Sequence, residues 1–129
     1  MGLYLYAKGC EFKFELGYIR FSVLMIAVAK AAYDTKMYEI YKAYRSYPFR
    51  HPTQEELYYW NEHCNDDLDL LILHSDTGGV LKSGQCKKVY NAIKDLSLGP
   101  QDDWIIEKFI ELRAIIKWCA DNRKTLVFG

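Results

Sequence analysis

The side chains in this chain with nucleophilic or metal-binding chemistry are three histidines, His51, His63 and His74, and four cysteines, Cys10, Cys64, Cys86 and Cys119. His63-Cys64 together with His74 and Cys86 would supply nitrogen and sulfur donors for zinc. Their spacing matches no standard zinc pattern, and no CxxC pair is present. A Cys–His nucleophilic pair, Cys64 or Cys86 with His74, is open in principle because such pairing is spatial, yet nothing flanking either cysteine marks it as a nucleophile. Without a secretory leader the four thiols read as reduced core fillers. The run Asn65-Asp66-Asp67-Asp69 concentrates carboxylates. On a helical run they are expected to point to different faces and to act as solvated, capping groups. Neither a P-loop nor a dinucleotide fingerprint occurs. An enzyme, a cofactor and a metal centre are therefore not expected.

Two other stretches carry more information. The first is HSDTGGVLKSGQ, His74 to Gln85, which has the outline of a twelve-residue calcium loop with Gly79 at the sixth place and Leu81 at the eighth. The ligand places one, three, five and twelve hold His74, Asp76, Gly78 and Gln85. One carboxylate does not offset the dehydration of a hard dication, and the bidentate Glu at place twelve is replaced by a neutral amide. The expectation is a structural turn of shape His74, Asp76, Gly78, Gly79, with left-handed angles at the two glycines and an Asx-turn at Asp76. The second stretch is YRSYPFRHP, in which Tyr44, Arg45, Tyr47, Phe49, Arg50 and His51 form a basic–aromatic group. Loops of arginine and aromatic residues are enriched at interfaces and grip acidic or phosphate-bearing groups. These six residues are the candidate partner-binding site.

The segment LLILHSDTGGVLKSGQCKKVYNAI resembles one in an uncharacterised family of small bacterial and phage proteins that read HSDxDGxLxxxxCKxV there. The residues in common are His74, Ser75, Asp76, Gly79, Leu81, Cys86, Lys87 and Val89. The start MGLYLYAKG, the block FELGYIRF and the ending KTLVF are similar too. At Gly78 the chain departs from the acidic residue usual in the family. The resemblance implies a fold and an origin rather than a mechanism. It also implies an accessory role, contacting a host protein, such as a defence component, if the chain is encoded by a phage or mobile element.

These groups must be positioned by secondary structure. Leu3 to Ala7 alternates apolar and aromatic residues, Lys8-Gly9 signals a turn, and EFKFEL places Phe12, Phe14 and Leu16 on one face. That pattern predicts an N-terminal β-hairpin. A nearly all-apolar helix is expected from Phe21 to Ala32, and a second from Lys36 to Tyr44 with a stripe of Met37, Ile40, Tyr41 and Tyr44. Thr53 and Glu56 make a capping box for a third helix, and Asn65-Asp66 a break or new cap. Ser83 is expected to cap a helix from Gly84 to Leu96. Pro100 fits the first turn of a last amphipathic helix, which runs to about Asp121 with Asn122 as its C-cap. Thr125 to Phe128 reads as a strand that pairs with the hairpin.

The fold class that results is α+β: a small antiparallel sheet, the N-terminal hairpin plus the C-terminal strand, packed against four to five helices in one globular domain over residues 1–129. Seventeen basic residues balance seventeen acidic ones. Nucleic acid, which selects for a basic excess, is thus not the expected partner, and low net charge eases self-association into a homo-oligomer. Phe21 to Tyr33 is too short and too charged to span a bilayer, so no membrane is expected and the location expected is cytoplasmic. Eleven tyrosines suit either a core with wet hydroxyls or a binding face. The functional expectation is a non-catalytic protein that binds a protein partner. The alternative is a protein that sequesters a small ligand or nucleotide in a tyrosine-lined pocket.

Overall fold

A computed structural model describes residues 2–129. The chain runs β1 (Gly2–Tyr6), β2 (Phe14–Gly17), α1 (Tyr18–Ala32), α2 (Thr35–Arg45), α3 (Gln54–His63), α4 (Asp66–Ile72), β3 (Val80–Leu81), α5 (Ser83–Ile93), α6 (Asp103–Asn122) and β4 (Leu126–Phe128). The fold is α+β, with six helices against an antiparallel sheet of order β2-β1-β4-β3. Both ends of the described chain meet in that sheet. β4 pairs with β1 through Leu5↔Phe128 and Tyr6↔Val127. The sheet holds one strand more than the three expected: Val80 and Leu81, places seven and eight of the calcium-like loop, pair with Val127 and Leu126.

The period-two pattern explains the sheet's two faces. Leu3, Leu5, Phe14, Leu16, Leu81, Leu126 and Phe128 are buried under the helices, while Tyr6, Glu15 and Val80 look outward. Phe12, expected on the inner face, is half exposed because β2 begins two residues later, at Phe14. The hairpin connection is therefore longer than a tight turn; Gly9, at φ 83°, bends it, and Cys10 N donates to Ala7 O.

Helix α1 starts at Tyr18, directly off β2, and is buried along Phe21, Leu24, Met25 and Val28. Asp34 caps α2, its Oδ1 accepting from Met37 N at 2.8 Å, and Met37, Ile40 and Tyr41 face inward. Tyr44, the last member of that stripe, is 45% exposed. The capping box of α3 forms as read: Thr53 Oγ1 accepts from Glu56 N at 3.2 Å and Thr53 N donates to Glu56 Oε1 at 2.9 Å. Asn65 caps α4, its Oδ1 accepting from Asp67 N and Leu68 N.

Several helix ends differ from expectation: α1 begins at Tyr18 rather than Phe21, and α5 ends at Ile93 rather than Leu96. Lys82, not Ser83, occupies the N-cap of α5, because Gln85 Oε1 reaches back to Lys82 N at 2.9 Å and fixes the start there. Pro100 stays outside α6, which begins at Asp103 after Asp102. Gly99 at φ 71° and the Gln101 amide bonded to Leu98 O hold that connection as a turn of its own. Asn122 ends α6 as a helical residue, and Arg123, left-handed at φ 53°, is the cap. Cys86 and Cys119 face each other, fully buried, between α5 and α6. Among the described residues no helix is long and apolar enough to cross a membrane.

Candidate functional site

The basic–aromatic group lies at the end of α2 and in the connection to α3, and the structure divides it. Tyr47 is 87% and Phe49 71% exposed, their rings edge-to-face at 6.0 Å. They border a groove with Ile19, Val23 and Ile26 of α1, and Ile19 is 83% exposed. His51 is also exposed. Arg50 makes a two-pronged contact with Glu56, Nη1 to Oε1 at 2.7 Å and Nη2 to Oε2 at 2.9 Å. That guanidinium and the Thr53 amide hold the Glu56 carboxyl down at about 2, from its ordinary 4.5. Arg50 is thus engaged in closing the connection onto the start of α3.

Arg45 points the other way. Its side chain is 11% exposed, and its Nε donates to Ser22 Oγ at 3.2 Å and its Nη1 to Ile72 O at 3.4 Å. Its Nη2 lies 3.8 Å from Asp76 and makes no hydrogen bond. Arg45 is an internal tie between α1, α2, the end of α4 and the calcium-like loop, rather than a side chain extended toward solvent.

That loop is closed by the protein's own groups. The His74 ring stacks on Phe128 at 3.8 Å. Its Nδ1 lies 2.7 Å from Ser75 O and its Nε2 3.0 Å from Val80 O. Both neighbours are acceptors, so a neutral imidazole serves one of them and an imidazolium both. Val80 O is the place-seven carbonyl, which in a calcium loop faces the ion; here it faces an imidazole nitrogen. Only Gly79 of the two glycines has a left-handed angle, φ 94°, because a residue there must turn the chain over the His74 ring. Nor does Asp76 make an Asx-turn. Ser75 Oγ accepts from Thr77 N at 3.2 Å, and the Asp76 carboxylate is drawn to Arg45.

A second place emerges where α2, α3 and α4 meet. A cavity of about 360 Å³ is walled by Tyr41, Tyr44, Trp60 and Leu57, and Asp66 and Asp69 also line it. The two carboxylates do share a face, contrary to expectation, because residues three apart on a helix are neighbours. With Cys64 Sγ, one oxygen of each lies within 4.8 Å of the others. Asp69 is half-buried; Oδ1 accepts from Tyr33 Oη at 2.8 Å and Oδ2 from Trp60 Nε1 at 3.2 Å. Burial, only partly countered by these bonds, pushes the Asp69 carboxyl up, with the like charge of Asp66 adding to it. The Tyr33 hydroxyl is pushed well up, by burial first and by Asp69. The Cys64 thiol is also raised, by burial and then by the neighbouring carboxylates, which disfavours the thiolate.

Sequence reasoning missed this cavity. The signal was Asp69 itself, a carboxylate placed among Leu68, Leu70 and Leu71 where an apolar residue would continue the run. Among the described residues no cysteine is hydrogen-bonded to a histidine. The His63 ring stacks on Tyr59, and Cys86 donates to Leu81 O. No family model, curated protein or solved structure matches the chain.

Proposed function

We propose that the protein is a non-catalytic binding protein that contacts a protein partner through the face formed by α1 and the α2–α3 connection. The observation that carries this reading is the contiguous exposed apolar set of Ile19, Val23, Tyr47 and Phe49. Large apolar side chains left in water cost free energy, and contiguous ones mark contact surfaces more often than isolated ones do. Aromatic residues bring much contact area with few rotatable bonds. The resemblance of the His74–Val89 segment to small bacterial and phage proteins favours an accessory role toward a host component. A buried Cys86, a Cys64 thiol held up in pKa and a His63 occupied by Tyr59 all favour binding over catalysis.

The test is quantitative affinity capture with three baits: the unmodified chain, Tyr47→Ser with Phe49→Ser, and Tyr6→Ser on the outer sheet face. The partner should be lost from the double variant alone, with all three baits unfolding at similar temperatures. Equal capture by all three would refute this face. Light scattering separates a foreign partner from a second copy of the chain.

A second reading, retention of a small ligand, is favoured by the cavity between α2, α3 and α4. Its carboxylates repel phosphate, so a nucleotide suits it poorly.

A further inference from the structure

We infer that the cavity between α2, α3 and α4 holds an organic ammonium group, with the charge at Asp66 and Asp69 and the apolar body against Tyr41, Tyr44 and Trp60. This rests on the ligand-retention reading and specifies its chemistry. Lysine, arginine and histidine are absent from the lining, which carries two carboxylates. The donors to Asp69, the Tyr33 hydroxyl, the Trp60 indole and, more weakly, the Cys64 thiol, are all neutral. They orient the carboxylate without compensating its charge. At least one of its roughly four acceptor positions remains for an incoming donor. An ammonium supplies three N–H donors and the missing charge together.

The walls suit the same guest. Tyr41 is buried at 1% exposure, its ring stacked with Trp60 at 6.2 Å, and Tyr44 and Leu57 form the open rim at 45% and 42%. Aromatic faces attract cations and also accept a flat apolar body. A volume of about 360 Å³ lies at the small end of ligand pockets, enough for one amine with a ring or chain.

Other guests fit less well. A phosphate or carboxylate ligand meets two anions and no cation. A soft metal needs the Cys64 thiolate, which burial and the adjacent carboxylates disfavour. A hard metal needs several oxygen donors or waters, whereas most of the wall is apolar. An ammonium can arrive as a free amine or as a lysine side chain of a bound protein, and the chemistry at Asp69 is the same for both.

The experiment is calorimetry on the intact chain with phenethylamine, its neutral counterpart 2-phenylethanol, its anionic counterpart 3-phenylpropionate, Nα-acetyl-lysinamide and zinc chloride. At least one of the two ammonium probes should bind about tenfold tighter than 2-phenylethanol, as expected for a charge-assisted contact. Phenylpropionate should not bind. Whichever ammonium probe is tighter identifies the free amine or the lysine side chain as the source. Asp69→Asn should remove the preference. Because that change alters the bonds to Tyr33 and Trp60, Leu57→Lys serves as a second variant. It places a competing cation at an exposed rim position and leaves the core alone. Equal binding of the amine and the alcohol would overturn the ammonium assignment and leave a ligand site standing. Failure of every organic probe would overturn both readings, as would zinc binding that the amine does not displace.

Discussion

Arg45 separates a structural role from a binding role, and its replacement by Ala is the most decisive perturbation of the fold. The guanidinium makes two long hydrogen bonds, 3.2 Å to Ser22 Oγ and 3.4 Å to Ile72 O. Bonds to a charged donor contribute about 1.5–3 kcal/mol at good geometry, so at these lengths roughly 0.5–1 kcal/mol each is the fitting figure. The ion pair with Asp76 at 3.8 Å is partly open to water, with Asp76 28% exposed, and adds about 0.5 kcal/mol. The stem and the cation over the Phe21 ring at 5.8 Å add about 0.5–1 kcal/mol. Ile72 O is not orphaned by the truncation, because Tyr41 Oη also donates to it at 2.7 Å. The total expected loss is about 2–3.5 kcal/mol, or roughly 6–14 °C in Tm for a chain of this size. Urea and thermal unfolding measure it, with Arg50→Ala as the comparison. Arg50 lies at the surface, so its removal should cost much less than that of Arg45. Partner capture by Arg45→Ala should fall only in proportion to the unfolded fraction. A change below about 0.5 kcal/mol together with lost capture would refute the internal-tie argument.

Glu56 gives a pH signature. Its folded carboxyl titrates at about 2, below the ordinary 4.5, mainly through the Arg50 hydrogen bonds. The stabilisation is therefore fully present above pH 4.5 and is lost as pH falls from 4.5 toward 2. The pair is largely solvent-screened, so the stability difference between the unmodified chain and Glu56→Gln should be only about 0.5–1 kcal/mol at neutral pH, vanishing near pH 2 in acid–urea titrations. The two loop glycines should respond oppositely to alanine. Gly79→Ala meets φ 94° and the His74 Cε1 at 3.2 Å, so it should lose about 1–2 kcal/mol in urea unfolding, whereas Gly78→Ala finds no atom within 4 Å and should be neutral or slightly stabilising. Calcium titration at millimolar concentration should give no heat, because His74 faces the Val80 carbonyl and Arg45 faces the Asp76 carboxylate. Micromolar calcium binding would show that the loop can exchange those contacts for an ion.

What could be read in the sequence was what local periodicity and capping dictate. The alternation in LYLY and FEL, the capping box at Thr53 and the apolar stripe of α6 needed no distant partner, and each forms. Val80-Leu81 was illegible as a strand because two residues carry no period. It is a strand only because Val127 and Leu126 lie beside it. The boundaries that moved, at Lys82 and Asp103, were set by a glutamine side chain and by a turn around Gly99. The partner-binding group YRSYPFRHP was legible as a stretch, and the direction of each side chain was not. Tyr47 and Phe49 leave the helix for water, while Arg45, still on α2, is turned toward α1 and α4.

Arg45 and Asp69 also show why charge has to be read in three dimensions. Both are charged and partly buried, and both meet α4, Asp69 from within it and Arg45 at its last carbonyl. Arg45 is committed to Ser22, Ile72 O and the Asp76 side. A cation at the end of a helix opposes the negative pole there, so its position is favourable without any carboxylate of α4. Asp69 has its bonds from Tyr33 and Trp60, two neutral donors on other elements. The Arg45 cation is thus used elsewhere, and among the described residues no cation compensates the half-buried carboxyl of Asp69. Removing Arg45 should therefore weaken the fold first, and neutralising Asp69 should weaken ligand affinity beyond its effect on the fold. If the two substitutions instead acted identically on unfolding and on amine binding, the groups would belong to one electrostatic network, and the separate roles argued for them would fall together.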